Sequence, residues 1–327
     1  MVKYLIRRFL LAVLTCIVIS LLSFIIIQLP PGDYVTSYVM DLISAGQHIT
    51  PEQEAALRAL YGLDEPLWAQ YLRWIAQVAV GNFGMSMEWR KPISEVIGER
   101  LLLTAVLSIA ALLLSWVLAL PIGIYSAVRK YSFGDYAATV IGFIGLAVPS
   151  FLSALVISYI SFAYFGLNVG GLFSPEYANA PWSWARLWDL LCHLPLPTGI
   201  LALASCGPII RIMRANLLDE LQKPYLVTAL SKGMTPWRAI MKYPVRIALN
   251  PFISTIGHTL PYVVSGTIIV SLVLGLPTVG PVLYRALISQ DMFVAGTVVL
   301  LLGVLTVIGT LLSDLLLAIT DPRIRMT

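Results

Sequence analysis

Few side chains in this sequence stand where they could do chemistry. In the long apolar runs the candidates for an ionisable group are Asp314 and His258, and the apolar centres lack Lys, Arg and Glu. The chain shows no nucleophile beside a general base, no metal-like spacing of its cysteines and no GxxxxGK[ST] phosphate-binding loop. The sequence therefore predicts no catalytic, cofactor-binding or metal-binding residue in this chain.

Two residues inside the apolar runs could instead shape a path through a membrane. His258 is predicted in the fifth run, either as a neutral imidazole bonded to a neighbouring helix or as a proton relay. Pro149 follows Gly142 and Gly145 in the third run. This spacing predicts a kinked helix that packs closely on a neighbour and could also form a gate.

The clearest local signals lie in the polar segment 211–250, which separates two apolar runs. Pro224 can occupy the first turn of a helix, and Gly233 can follow its last residue as C′. Thr235 is predicted to cap a second helix, with Pro236 at its first position. The pattern predicts two short helices joined at Gly233, because glycine enters the left-handed conformation at little cost.

The tip of this hairpin, residues 229–237, mixes apolar and basic side chains. Such a tip could insert into the groove of a partner protein. Alternatively, the hairpin could lie on the membrane surface and hold anionic lipid through Lys232, Arg238, Lys242 and Arg246. Spacing alone leaves both interpretations open.

The elements that must position this hairpin are membrane-spanning helices. Hydrophobic residues make up 58% of the 327 residues and charged residues 12%, which is far from the balance of soluble proteins. Runs of about 20 apolar residues can cross a bilayer as helices. Six such runs cover residues 9–29, 101–127, 137–165, 190–210, 252–276 and 294–319. The predicted fold class is an all-α integral membrane protein with six transmembrane helices.

The distribution of basic residues indicates the orientation. With six spans, one side of the membrane carries 14 of the 21 Lys and Arg residues, namely Lys3, Arg7, Arg8, Arg129, Lys130, Arg211, Arg214, Lys223, Lys232, Arg238, Lys242, Arg246, Arg323 and Arg325. The positive-inside rule makes this side the cytoplasm, so both termini and the hairpin are predicted to be cytoplasmic. The first run is interpreted as an uncleaved span, because it is long and no small-residue cleavage site follows it.

The first outer segment, residues 30–100, carries signals for two short amphipathic helices. Thr50 and Gln53 match a capping box around Pro51. A second helix is predicted over 66–80, and its aromatic stripe predicts packing or interfacial anchoring rather than substrate contact. These outer elements could also form a platform for an external partner.

Longer motifs are distributed along nearly the whole chain. They are PPGD at 30–33, YGLDEPLWAQYLRW at 61–74, GNFGMS at 81–86, VPSF at 148–151, RIMRANLLDEL at 211–221 and DPRIR at 321–325. Together with the loop around Gly233, which is similar to an EAA motif, they resemble the permeases of ABC importers of the dipeptide, oligopeptide and nickel branch.

The resemblance implies a type I ABC importer permease fold, in which the hairpin is a cytoplasmic coupling element. The chain would be a transport subunit of the inner membrane and not an enzyme. It would pair with a second permease subunit, expected to be a different chain, with two ATPases that bind ATP and Mg, and with an external substrate-binding protein. The residues expected at the ATPase contact are Ala229, Lys232, Gly233, Met234, Thr235, Pro236, Trp237 and Arg238.

Two positions depart from the family pattern. The Glu-Ala-Ala of the general motif aligns with residues 227–229, of which only Ala229 is kept, so a contact made elsewhere by an acidic residue does not carry over. Ser271 stands where many relatives carry a Glu. Ser271 therefore joins Pro149 and His258 as a candidate for the substrate path or its gate.

The resemblance implies ATP-driven import of di- or oligopeptides, with no nucleic-acid partner. The alternatives are import of nickel chelates or oligosaccharides by the same machinery, and an ATP-independent secondary transporter. The latter would predict intramembrane charges or repeated broken helices. The chain is predicted to divide into residues 1–100, with the first span and the outer segment, and residues 101–327, a five-helix core that contains the loop 211–250.

Overall fold

The computed structural model describes residues 2–28, 34–44, 50–61, 64–86, 88–166 and 170–320. The regular elements within these ranges are α-helices. In chain order they are α1 (Val2–Gln28), α2 (Tyr34–Ser44), α3 (Pro51–Tyr61), α4 (Leu67–Ala79), α5 (Ile93–Val128), α6 (Phe133–Ala147), α7 (Ser150–Phe165), α8 (Trp184–His193), α9 (Pro195–Glu220), α10 (Pro224–Ser231), α11 (Pro236–Lys242), α12 (Pro244–Ala248), α13 (Asn250–Leu274), α14 (Val279–Ile288) and α15 (Met292–Thr320). The motifs at 30–33 and 321–325 lie outside the described residues.

The long apolar helices account for the predicted spans. Among the described residues, four helices are long and apolar enough to cross a membrane, namely Ile6–Ile25, Ile93–Val128, Pro195–Leu221 and Phe293–Leu315. The count reaches six when two bent helix pairs, α6 with α7 and α13 with α14, are each taken as one span. The predicted all-helical membrane fold is confirmed in this form.

The expectation of a single kinked helix over 137–165 is wrong. Helix α6 ends at Ala147, α7 begins at Ser150, and the two meet at 102°. Val148 has an extended backbone with φ −85° and ψ 120°, because the residue before a proline is disfavoured in the helical region. Pro149, which has no N–H to donate, occupies the N-cap position of α7. The proline therefore separates two helices instead of bending one.

The predicted fourth span, 190–210, is shifted towards the N-terminus relative to the helix that forms it. Its helix α9 begins at Pro195 and continues to Glu220. Residues 190–193 belong to α8, whose N-cap Ser183 accepts a hydrogen bond from the backbone N–H of Arg186 at 3.2 Å. Proline suits the first turn of a helix, because the amides of that turn lack an intrahelical acceptor. Pro195 and Pro197 therefore lie in the first turn of α9, and Pro208 lies inside the helix.

Both helices predicted between residues 30 and 100 are present. The capping box forms as expected, because Gln53 N–H donates to Thr50 Oγ1 at 3.3 Å and Thr50 N–H donates to Gln53 Oε1 at 3.1 Å. On α4, Trp74 is buried and the Tyr71 hydroxyl forms a hydrogen bond with Ser20 Oγ of α1 at 2.8 Å. The packing interpretation of the aromatic stripe is confirmed for these two rings. Helix α2 was not predicted.

The chain divides into two compact units. One contains residues 1–5, 104–277 and 308–327, and the other contains residues 6–103 and 278–307. The first unit has a core cluster built around α9, whose buried members are Ala119, Ala127, Cys206, Ile209, Ile210, Met213, Leu217, Val245, Ala248 and Phe252. In the second unit, the buried Asp291 accepts hydrogen bonds from Ser86 Oγ at 2.7 Å and Glu88 N–H at 3.1 Å. The predicted division at residue 100 stays a prediction.

Candidate functional site

The Gly233 hairpin, which we define as residues 224–242, forms the turn that its sequence predicts. Gly233 follows α10 with φ +81°. Its N–H donates to Leu230 O at 2.9 Å, and the N–H of Met234 donates to Ala229 O at 3.3 Å. These two bonds form a Schellman motif, which satisfies the last carbonyls of a helix when the next residue is left-handed. The turn therefore depends on Gly233 and reverses the chain immediately after α10.

The second helix of the hairpin differs from the prediction at its N-cap. Thr235 occupies the N-cap position of α11 with an extended backbone, but its side chain forms no capping hydrogen bond. Thr235 is exposed, and Pro236 removes one of the amides that a cap would serve, so solvent can satisfy the rest. Helix α11 ends at Lys242, because Pro244 starts the separate helix α12.

The two helices of the hairpin pack on a small core of their own. Its buried members are Leu226 and Ala229 of α10 and Ala239 of α11. Ala229, a predicted contact residue, therefore packs inside the hairpin, and its contact with a partner stays a prediction. Met234 is half-buried against the same core. The other predicted contact residues are exposed, namely Lys232, Gly233, Thr235, Pro236, Trp237 and Arg238.

The exposed tip carries apolar surface beside basic side chains. Trp237 at the tip is 60% exposed, and Val227 of α10, which stands where the general motif has an acidic residue, is 64% exposed. An aromatic ring and an aliphatic side chain held out from a rigid support are typical of a surface that buries against a partner.

Tyr225 fixes the hairpin to the end of α9. Its hydroxyl donates to Glu220 Oε2 at 2.5 Å, and its ring lies 6.4 Å from that of Tyr243. Burial raises the pKa of Tyr225 well above its usual value, and the hydrogen bond to Glu220 and its negative charge add to this effect. The hydroxyl therefore stays protonated and remains a donor at physiological pH.

The core of the hairpin continues into the core of the spans. Leu221 and Ile240 pack against the hairpin core and also against the cluster around α9. That cluster includes Met213 and Leu217 of α9 and Phe252 of α13. A force applied to the hairpin therefore reaches two long helices through continuous side-chain packing, since protein interiors are close-packed.

An ion pair that the sequence analysis missed joins α6 to the same end of α9. Arg214 Nε and its terminal nitrogen donate to the two carboxylate oxygens of Asp135 at 2.8 Å and 2.9 Å. Asp135 also accepts the backbone N–H of Tyr131 at 2.9 Å, and Tyr131 has a positive φ of 62°. Ser132 Oγ accepts the N–H of Asp135 at 3.3 Å. The serine three residues before the aspartate could have located this helix start, but nothing local indicates the partner Arg214.

Glycines bring the same two helices into backbone contact. A Cβ added to Gly207 of α9 would lie 2.3 Å from the carbonyl oxygen of Gly142 on α6. One added to Gly145 would lie 2.6 Å from Leu203 O. The prediction that Gly142 and Gly145 permit close packing is therefore confirmed, and its partner is α9.

The three candidates for a path or gate lie at the start of α7 and within α13. Pro149 is exposed at the break between α6 and α7. Ser271 is fully buried near the end of α13, and its hydroxyl has no hydrogen-bond partner among the described residues. His258 lies in α13, but its side chain is outside the described part of the chain. Their roles stay predictions.

The fold and the hairpin define a helical membrane protein with an exposed hairpin between two of its long helices. Comparison with known proteins identifies its family. A model described as "Binding-protein-dependent transport system inner membrane component" matches residues 119–326, and a model of the N-terminal part of such components matches residues 1–108. The chain belongs to this family of inner-membrane transport components and has the type I importer permease fold, which confirms the resemblance seen in its motifs.

Individual relatives match along their whole length. A peptide permease protein of Brucella ovis is 33% identical over 329 residues, with 100% of both chains covered. The oligopeptide transport system permease protein AppB of Bacillus subtilis is 33% identical, with 99% of both chains covered. The dipeptide transport system permease protein DppB of Escherichia coli K12 is 30% identical, also with 99% of both covered.

Proposed function

We propose that this chain is a transmembrane subunit of an ATP-driven importer of di- or oligopeptides. It lines the translocation pathway together with a second, different permease subunit, and an external binding protein delivers the peptide. Two ATPase subunits bind ATP and Mg on the cytoplasmic side. The peptide substrate is supported by the names of the full-length relatives from Bacillus subtilis and Escherichia coli.

The observation that carries the proposal is the Gly233 hairpin. Its tip is exposed, its own core is small, and that core is continuous with the core around α9. Such an element suits a mechanical connection, because its surface can bind another protein while its base moves the spans. Closure of the ATPase dimer would push the hairpin and, through Leu221 and Ile240, tilt α9 and α13.

The orientation that we propose places the hairpin and both termini in the cytoplasm. The basic side chains Lys232, Arg238, Lys242 and Arg246 are all exposed on or beside the hairpin. This supports a cytoplasmic position, because Lys and Arg are enriched in the cytoplasmic segments of membrane proteins. It also leaves positive charge available for an acidic surface on the ATPase.

The break at Pro149 is the candidate for the moving part of the pathway. Helices α6 and α7 meet there at 102°, and both pack on α9. A helix pair that is already broken can change its angle by rotating a few backbone dihedrals, which costs less than bending a continuous helix. Movement of α9 would therefore change the angle between α6 and α7.

Reconstitution of the complete transporter in proteoliposomes tests the proposed function. We expect uptake of labelled di- or oligopeptides that requires ATP on the side of the vesicle membrane that carries the ATPases. We expect no uptake with an ATPase variant that cannot hydrolyse ATP. A nickel chelate and an oligosaccharide serve as competing substrates in the same assay. Uptake of either in place of peptides would contradict the substrate class, and uptake without ATP would contradict the mechanism.

A further inference from the structure

A groove runs along the contact between α6 and α9. It has a volume of about 190 Å³, and its floor is formed where Gly142 meets Gly207. On α9 the lining residues Gly207, Arg211 and Arg214 recur at helical spacing, so they share one face. Since both glycines lack side chains, the groove stays open between the flanking side chains of the two helices.

The groove changes from polar to apolar along its length. The two helices run antiparallel, because Asp135 pairs with Arg214 while Gly145, ten residues further along α6, meets Leu203 of α9. One end of the groove therefore carries Arg211 and Arg214. The other end is lined by Phe143 and Leu146, which are about half exposed.

The two arginines at the polar end differ in their partners. The two carboxylate oxygens of Asp135 each accept a hydrogen bond from Arg214. Arg211 is exposed and forms no ion pair with any of the described residues. The guanidinium of Arg211 is therefore available at the polar end of the groove. Thr139 Oγ1 lies beside it, donates to Asp135 O at 2.8 Å and can still accept a hydrogen bond.

We propose that this groove binds an anionic phospholipid. Its phosphate would pair with Arg211, and an acyl chain would lie over Gly142 and Gly207 towards Leu146. The lining changes from basic to apolar in the same order as a phospholipid, whose charged headgroup is followed by apolar chains. Basic pockets between transmembrane helices also favour anionic headgroups. The site lies in the leaflet next to the Gly233 hairpin and is independent of substrate and ATPase.

Native mass spectrometry of the purified transporter complex tests this site. The complex is exchanged into detergent with palmitoyl-oleoyl phosphatidylglycerol or with phosphatidylcholine carrying the same chains, and the retained lipid is counted. We expect phosphatidylglycerol to be held about ten-fold more tightly, which corresponds to about 1.4 kcal/mol. Arg211→Gln should remove this preference. Arg73→Gln, which removes an exposed arginine from α4, should leave it unchanged.

A second variant tests whether lipid occupies the groove itself. Ala138→Trp places a large ring beside the groove and should lower retention of both lipids, whereas Arg211→Gln should lower only that of phosphatidylglycerol. Equal retention of the two lipids by the native complex would overturn the proposal. So would equal effects of Arg211→Gln and Arg73→Gln. Crosslinking of Ala138→Cys to the second permease subunit, without bound lipid, would show that a protein covers the groove instead.

Discussion

The Gly233 hairpin and the contact between α6 and α9 are built in opposite ways, although the same helix α9 leads from one to the other. The hairpin rests on three buried side chains, and a Cβ added to Gly233 would meet nothing within 4 Å. The α6–α9 contact brings backbones together at Gly142 and Gly207 and adds the buried Asp135 carboxylate. A side chain added at Gly233 would therefore meet no neighbour, whereas one added at Gly207 would clash with the facing backbone.

This difference separates two requirements of a coupled transporter. A surface that docks on another protein has to tolerate adjustment at its tip, which a small core with exposed side chains permits. Helices that transmit a displacement have to move together, which requires a contact that cannot slide. Substitutions in the hairpin should therefore affect coupling more than folding, and substitutions in the α6–α9 contact should affect folding first.

The largest effect is expected at Gly207. Gly207→Ala puts a Cβ 2.3 Å from Gly142 O, so the helices must separate, and overpacking of this kind costs about 1–3 kcal/mol or more. Thermal unfolding of the purified protein in detergent should show a clear loss of stability. Gly199→Ala on the same helix is the matched control, because its Cβ would meet nothing within 4 Å. Equal stability of the two variants would mean that the α6–α9 contact is not tight.

A somewhat smaller effect is expected at Asp135. Asp135→Asn leaves Arg214 without a carboxylate, and breaking a fully buried pair costs about 3–5 kcal/mol. The cost here should be lower, because the Arg214 side chain is 29% exposed and can be hydrated. Asp219→Asn, an exposed acid on α9, serves as the control in the same unfolding measurement. If both variants unfold like the native protein, the ion pair does not join the helices.

Gly233 should show the reverse pattern, with a change in coupling and little change in stability. Its φ of +81° disfavours a β-branched residue by roughly 1–2 kcal/mol, while the added side chain has open space. Gly233→Val should reduce peptide taken up per ATP hydrolysed several-fold in proteoliposomes. Gly233→Asn should retain most of it, because Asn enters the left-handed region more readily. Equal coupling in both variants would remove the turn from the mechanism.

The smallest effect is expected at Tyr225. Tyr225→Phe removes the hydrogen bond to Glu220, which contributes about 1 kcal/mol. The pKa of Tyr225 is raised, so its hydroxyl is protonated below its ordinary pKa near 10, and the stability difference should be constant from about pH 6 to pH 9. Tyr159→Phe, at a ring that is 69% exposed, is the control. A difference that disappears within this pH range would contradict the assignment.

Local features of the fold could be predicted from the sequence, and distant contacts could not. Pro224, Gly233 and Pro236 define the hairpin because each acts on the backbone within a turn of its own position. The capping box at Thr50 is local in the same sense. By contrast, Asp135 and Arg214 are 79 residues apart, and no periodicity links them.

Prolines mark where a helix is interrupted, but the sequence does not show whether the helix bends or ends there. Pro149 could bend a helix or separate two, and the extended backbone of Val148 decides for separation. Pro195 lies inside the predicted fourth span, 190–210, and in the structure it begins α9. The burial of Ala229 depends on its packing with Ala239 of α11, so the sequence overstated the exposed surface of the tip.

The central claim is that the exposed tip of the Gly233 hairpin contacts the ATPase. Cysteines introduced one at a time at Lys232, Trp237 and Arg238, after replacement of the native cysteines, can be tested for crosslinking to the ATPase subunits in the reconstituted transporter. Trp188→Cys is the matched control. Trp188 is 70% exposed and lies on α8, which is not part of the hairpin. We predict nucleotide-dependent crosslinks at the tip positions and none at the control. Failure at every tip position, in a transporter that still couples ATP hydrolysis to uptake, would contradict the account.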